Sequence, residues 1–174
     1  HFFEIAIPRL FGIRTMYTNL QQFGITAEGY TNAQQKLSLV DQSIADDFSA
    51  AGRRRLRSTA GHEGGHCILH VPLNTWQQSL QLAGKGMMRE RSTLRAFEDP
   101  EWQAWRFCLA FCMPSHLTRG MVEKVGTSYQ GMLAMADYFD MNLSFVKTRL
   151  RSLGIIPRDS CSYREGYKYA KKPI

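Results

Sequence analysis

The sequence predicts an α+β fold, with a small antiparallel sheet beside one long helix and a helical part after it. Three observations carry that expectation. Residues 25–41 alternate polar and apolar positions around a turn signal. Residues 54–70 set His62, Glu63 and His66 in the pattern H-E-x-x-H. Residues 101–113 carry an apolar stripe of helical period between Pro100 and Pro114.

Taken in order, residues 3–24 offer Ile5, Ile7, Leu10 and Phe11 at loose spacing. Pro8 argues against a long helix there, so a short helix or an irregular lead-in is expected. Residues 25–41 read as a hairpin. Ile25 to Thr31 leads into the turn Asn32-Ala-Gln-Gln, and Lys36-Leu-Ser-Leu-Val-Asp41 returns with period two. Residues 42–53 are polar and read as loop or short helix. A helix then runs from about residues 52–54 to His70, with Pro72 closing it.

That helix is unusual in composition. Arg53, Arg54, Arg55 and Arg57 crowd its start, where the helix dipole disfavours cations, and they read as a solvated basic face. Gly61, Gly64 and Gly65 each cost about 1 kcal/mol relative to Ala in a helix. Three glycines within five residues imply that another backbone, or a substrate, comes close.

Residues 71–99 read as a long connection with one amphipathic piece near 75–82, broken by Gly84 and Gly86. Ala104, Phe107, Cys108, Phe111 and Cys112 then form the i, i+3, i+4, i+7 stripe of the second strong helix, with Glu101 at its beginning on the same inward face. Residues 118–153 are helical with Gly126 and Asn142 as punctuation, and Gly154 with Pro157 ends them. The expected division is 1–117 for the part holding both helices of the site, 118–156 for a helical subdomain with a helix-turn-helix-like pair, and 157–174 for a basic tail.

Composition narrows the class of protein. A hydrophobic share of 44% with 21% charged residues is that of a globular chain, and 174 residues suffice for one domain with a core. No stretch approaches the ~18 apolar residues of a membrane span. The opening residues lack the basic-then-apolar order of a signal peptide. Cys67, Cys108, Cys112 and Cys161 show no C-x-x-C spacing and read as reduced thiols, which favours a cytoplasmic setting. The net charge of +7 is a property of the tail. From Lys147 onward eight Lys or Arg stand against Asp159 and Glu165, or +6, which leaves about +1 for the other 146 residues.

The chemistry sits in residues 54–70. One helical turn apart, His62 and His66 can direct both imidazoles to one metal ion, and Glu63 beside them can take a proton from water. A zinc site of this kind needs a third protein ligand. His70 lies on the same helix, but one straight helix cannot easily place three successive turns around a tetrahedral ion. Glu101, on a second helix, supplies the missing direction and is preferred. His70 and Gln103 are then candidates for groups behind the ligands, with His70 the alternative ligand, while Trp105 reads as packing. Zn2+ is the expected ion, with Mn2+ as the substitute. An electrophile for a tetrahedral intermediate is also needed; Tyr30, Tyr129 and His116 are candidates, and the choice among them stays open.

These blocks are similar to those of a known family. Arg57-Ser-Thr-Ala-Gly-His-Glu-Gly-Gly-His-Cys-Ile-Leu-His70 resembles the R-x-T-x-x-H-E-x-G-H-x-x-L-H block of the ImmA/IrrE metallo-endopeptidases. Glu101 to Pro114 resembles that family's E-x-x-A-N-x-F-A-x-x-L-L-M-P block. Ala136 to Gly154 is similar to its closing A-x-x-F-x-V-S-x-x-x-V-x-x-R-L-x-x-L-G segment. The resemblance spans roughly residues 25–154. It implies a zincin-like domain and a zinc protease of the bacterial or phage cytoplasm. Such proteases cut a helix-turn-helix repressor in the control of stress or mobile elements, with Glu63 as general base and Glu101 as third ligand. The chain departs from the pattern at Gly64, Trp105 and Cys108.

Two other classes remain in view. In the first, residues 132–154 are a DNA-binding helix-turn-helix in which Lys147, Arg149 and Arg151 contact phosphate. Phe145, Val146 and Leu150 leave that helix little room for base-reading side chains, so nucleic acid is the less favoured partner. In the second, the chain is an interaction module that holds zinc without cutting.

Overall fold

The expected hairpin is present, shorter than its sequence signal, and it belongs to a sheet of three strands. In the computed structural model residues 2–73 and 98–157 are described. The amphipathic piece near 75–82, the glycines at 84 and 86, and the tail with Cys161 lie outside the described residues. Strand β1 spans Arg14–Thr18, β2 Gly29–Asn32 and β3 Leu37–Asp41. β3 is central. It pairs antiparallel with β2, Thr31 opposite Ser38, and parallel with β1, Thr15 opposite Ser38.

The sheet is therefore mixed, which corrects the antiparallel sheet expected. The extra strand comes from the segment read as a lead-in. Arg14-Thr-Met-Tyr-Thr lies at a sheet edge with none of its residues buried, so it carries no apolar alternation to announce itself. Pro8 does not break the opening helical stretch: a π-helical turn over Phe2–Ala6 runs directly into α1 (Ile7–Phe11), where Pro8 sits in the first turn, and Gly12 ends the stretch at φ 64°. The hairpin turn is set by Asn32, whose Oδ1 accepts from the Gln35 N–H, and by Lys36 at φ 48°.

Asp41, at the end of β3, accepts hydrogen bonds from the backbone N–H groups of Leu20 and Ser43. The second bond caps α2 (Gln42–Ala45), and the Ser43 hydroxyl, which also donates to Asp41, does most to hold that carboxyl below its ordinary range, with the Leu20 N–H next. Ser49 caps the long helix α3 (Ala50–Leu69) by accepting from the Gly52 N–H. The helix stops at Leu69, with His70 as its C-cap residue, and Pro72 already belongs to a new helical turn. Its buried residues are Gly52, Thr59, Gly61, His62, Glu63, Gly64, Gly65 and Cys67, a set with almost no large apolar side chain. One cluster of the apolar core lies near its C-terminal end, where Ile7, Ile13, Cys67 and Val71 meet with Phe2, Ala33 and Ile68 around them.

Helix α4 (Pro100–Cys112) holds Glu101 in its first turn. Ala104, Cys108 and Leu109 are buried, whereas Phe111, expected inside, is 46% exposed and stacks on Phe107. Cα packing divides the chain into two units, His1–Phe111 and Cys112–Ile174, earlier than the expected boundary after residue 117.

The second unit contains α5 (Ser115–Val125), α6 (Tyr129–Phe139) and α7 (Leu143–Ser152). Gly126 at φ 71° follows α5, and Asp140 in the left-handed region joins α6 to α7. α7 buries Phe145, Val146, Arg149 and Leu150. Arg149 donates its Nε–H to the carbonyl of Met113 and is only 6% exposed, so this named phosphate contact is committed to the fold. Among the described residues, no helix is long and apolar enough to cross a membrane.

Candidate metal centre

Helix α3 presents side chains to two neighbours. On one side, His62 and His66 stand one turn apart with their ring centroids 4.8 Å apart and nearly perpendicular. Their Nε2 atoms approach to 3.1 Å. Glu101 on α4 completes the group. Its Oε2 lies 3.2 Å from His62 Nε2 and its Oε1 lies 3.4 Å from His66 Nε2. The three donors lie within 4.8 Å of one another and can hold a metal ion. Hydrogen bonds from the two histidines hold the Glu101 carboxyl far below its usual range, so it is an anion at any ordinary pH.

The close approach of α3 and α4 depends on glycine. A Cβ at Gly65 would stand 3.0 Å from the Ala104 backbone, and the ring of Phe2 fills the place of a side chain at Gly64. The expected close approach of another backbone therefore holds at Gly65, whereas at Gly64 the neighbour is a side-chain ring. Trp105 also lies here, its ring 4.5 Å from that of His62 and 41% exposed, so it packs directly on that imidazole while facing solvent.

On the other side of α3, Glu63 points to the sheet and is 4% exposed. Its Oε2 accepts a 2.6 Å hydrogen bond from Thr31, whose hydroxyl also meets Ser38 at 2.8 Å. Gly29 leaves the space that Glu63 occupies; any side chain there would collide with the carboxylate. Burial pushes the Glu63 carboxyl above its ordinary range, against the pull of His62, His66 and the Thr31 bond. Cys67, one turn further along, has its thiol pushed up to about 11 by burial and is an inert core group, as the reduced-thiol reading anticipates.

His70 stands behind His66. Its Nδ1 lies 2.9 Å from His66 Nδ1 and its Nε2 lies 2.9 Å from Gln103 Oε1. Burial pushes its pKa below the ordinary value, which favours the neutral ring. Of the three candidates for an electrophile, Tyr30 alone belongs to the same unit as the centre. Tyr30 follows β2's alternation to the face opposite Thr31, where its hydroxyl accepts from Asn32. His116 and Tyr129 are exposed residues of the second unit.

Sequence reasoning passed over Thr31, Ser38 and Gly29. Gly29 had a legible signal, because a glycine inside a strand marks a close approach. Thr31 had none, since a threonine in a strand is ordinary.

Two imidazoles and one carboxylate on two helices, with a buried carboxyl next in sequence to the first imidazole, define a candidate metal centre. No protein-family model matches this chain, and no curated protein matches it. The likeness to the ImmA/IrrE blocks accordingly rests on the motif residues themselves.

Proposed function

We propose that this chain is a zinc-dependent, zincin-like endopeptidase acting on a protein substrate. The observation that supports it best is the convergence of His62, His66 and Glu101 with Glu63 held beside them on the same helix. The donor set of two imidazoles and a carboxylate suits zinc with a coordination position left for chemistry. Zinc bound there supplies Lewis acidity that makes water acidic enough to lose a proton near neutral pH.

The chain's own residues do the rest. Glu63 accepts the proton as the water oxygen bonds to the peptide carbonyl carbon, then delivers it to the departing amide nitrogen as the C–N bond breaks. Thr31 and Ser38 hold that carboxyl in place. Glu101 orients both imidazoles. Trp105 shields one face of His62.

The substrate class comes from the resemblance: a helix-turn-helix repressor in a cytoplasmic setting. Metal analysis, followed by incubation with the helix-turn-helix proteins encoded beside this gene, tests the proposal. Wild type cuts, Glu63→Gln does not, and both retain one zinc. A Glu63→Gln variant that cuts as fast as wild type rules out the general base.

A further inference from the structure

The three donors of the centre are not equally reached from outside. The side chains of His62 and His66 are 11% and 12% exposed, whereas that of Glu101 is 36% exposed, so solvent meets the group on its α4 side. Trp105 stands one turn beyond Glu101, and residues four apart share a helix face. Its indole lies tilted by 43° against the His62 ring, and the outward part of the ring is left to solvent. Trp102, similarly exposed, carries the Arg106 guanidinium over its ring, 5.3 Å from the centroid. An open indole thus borders the approach to the metal position.

We propose that Trp105 is a specificity-determining residue, whose open indole receives a neutral apolar or aromatic side chain beside the peptide bond to be cut. The role rests on the zinc peptidase reading and adds to it the kind of residue that flanks the cut. Charge decides which side chain suits the ring. An indole face is electronegative and ordinarily welcomes a cation. Here Arg106 is the next residue, and a divalent ion held by two imidazoles and one carboxylate leaves the centre net positive, so a cationic side chain is repelled. A carboxylate is drawn to Arg106 or to the metal and leaves the ring bare. An apolar or aromatic side chain meets neither objection, and covering the indole removes apolar surface from water.

Hydroxamic acids that share one metal-binding group and differ only in their tails separate these cases. Titration calorimetry on the zinc-loaded full chain compares acetohydroxamic acid with hydroxamic acids whose tails end in phenyl, ammonium or carboxylate. In wild type the phenyl tail binds about 10-fold tighter than acetohydroxamic acid, and the charged tails gain less than about threefold. Trp105→Gln keeps bulk against His62 without an aromatic face. It holds zinc and binds acetohydroxamic acid as wild type does, but loses the phenyl preference. Trp105→Phe restores most of that preference, and Trp102→Ala leaves it intact. A charged tail that binds wild type as tightly as phenyl overturns the proposal. So does a phenyl preference that survives Trp105→Gln or disappears in Trp102→Ala. Wild type that takes up no zinc, or zinc-loaded wild type that ignores acetohydroxamic acid, overturns the metal reading and the proposal with it. That result is distinct from hydroxamate binding that is indifferent to the tail.

Discussion

The two sides of α3 treat the same chemical group in opposite ways. Toward α4, Glu101 accepts hydrogen bonds from two imidazoles and is held as an anion. Toward the sheet, Glu63 has one hydroxyl partner and little water, and burial drives its carboxyl upward. The first is suited to holding a cation, the second to taking up and releasing a proton. Position on the helix, not residue type, divides the roles.

Four experiments break or sharpen that contrast. The largest effect falls on the anion side. Glu101→Ala reduces zinc from one ion per chain to near none in metal analysis, and the stabilisation that zinc confers on wild type disappears. At zinc 100-fold above its dissociation constant that stabilisation is about 2.7 kcal/mol, readable as a fall in Tm on adding a chelator. The second experiment concerns the closeness of α3 and α4. Gly65→Ala gains about 1 kcal/mol of helix propensity but forces a methyl against the Ala104 backbone, where overpacking costs about 1–3 kcal/mol. Gly120→Ala in α5 meets nothing within 4 Å and gains about 0.4–1 kcal/mol. Urea denaturation should give the two substitutions opposite signs.

On the proton side, Thr31→Val keeps the volume and removes the hydroxyl that favours ionised Glu63. The carboxyl then titrates higher still, so the acid limb of the cleavage–pH profile moves to higher pH while zinc affinity stays at the wild-type value. The smallest effect is on stability. Glu63 titrates above its ordinary value of 4.5 in the folded chain, so its contribution is fully present below that pH and is lost as pH rises through the folded pKa. Glu63→Gln removes this loss. Denaturation of the metal-free proteins should show the variant more stable at pH 7 and flatter in pH above 4.5.

Much of the site was legible because its spacing is short-range. His62 and His66 stand four positions apart, and helical geometry alone brings them together. Glu101 was reachable because its helix declares itself through Pro100 and an apolar stripe of helical period. The sheet was harder. β1 has no apolar pattern, and only pairing with β3 makes it a strand, so the sheet's mixed character lay beyond any local signal. Thr31 became part of the site through a contact across 32 residues of sequence. α3 itself shows no apolar stripe; its motif identifies it where periodicity would not.

The glycines of α3 carry one more consequence, in the timing of motion. A helix containing Gly61, Gly64 and Gly65 has little tendency to hold its own turns, and the neighbours packed on it supply that support. Opening of residues 61–66 must then accompany separation from α4. Their amide hydrogens should exchange with solvent together with those of residues 104–108, as one cooperative unit, and a metal ion bridging the two helices should slow both sets by the same factor.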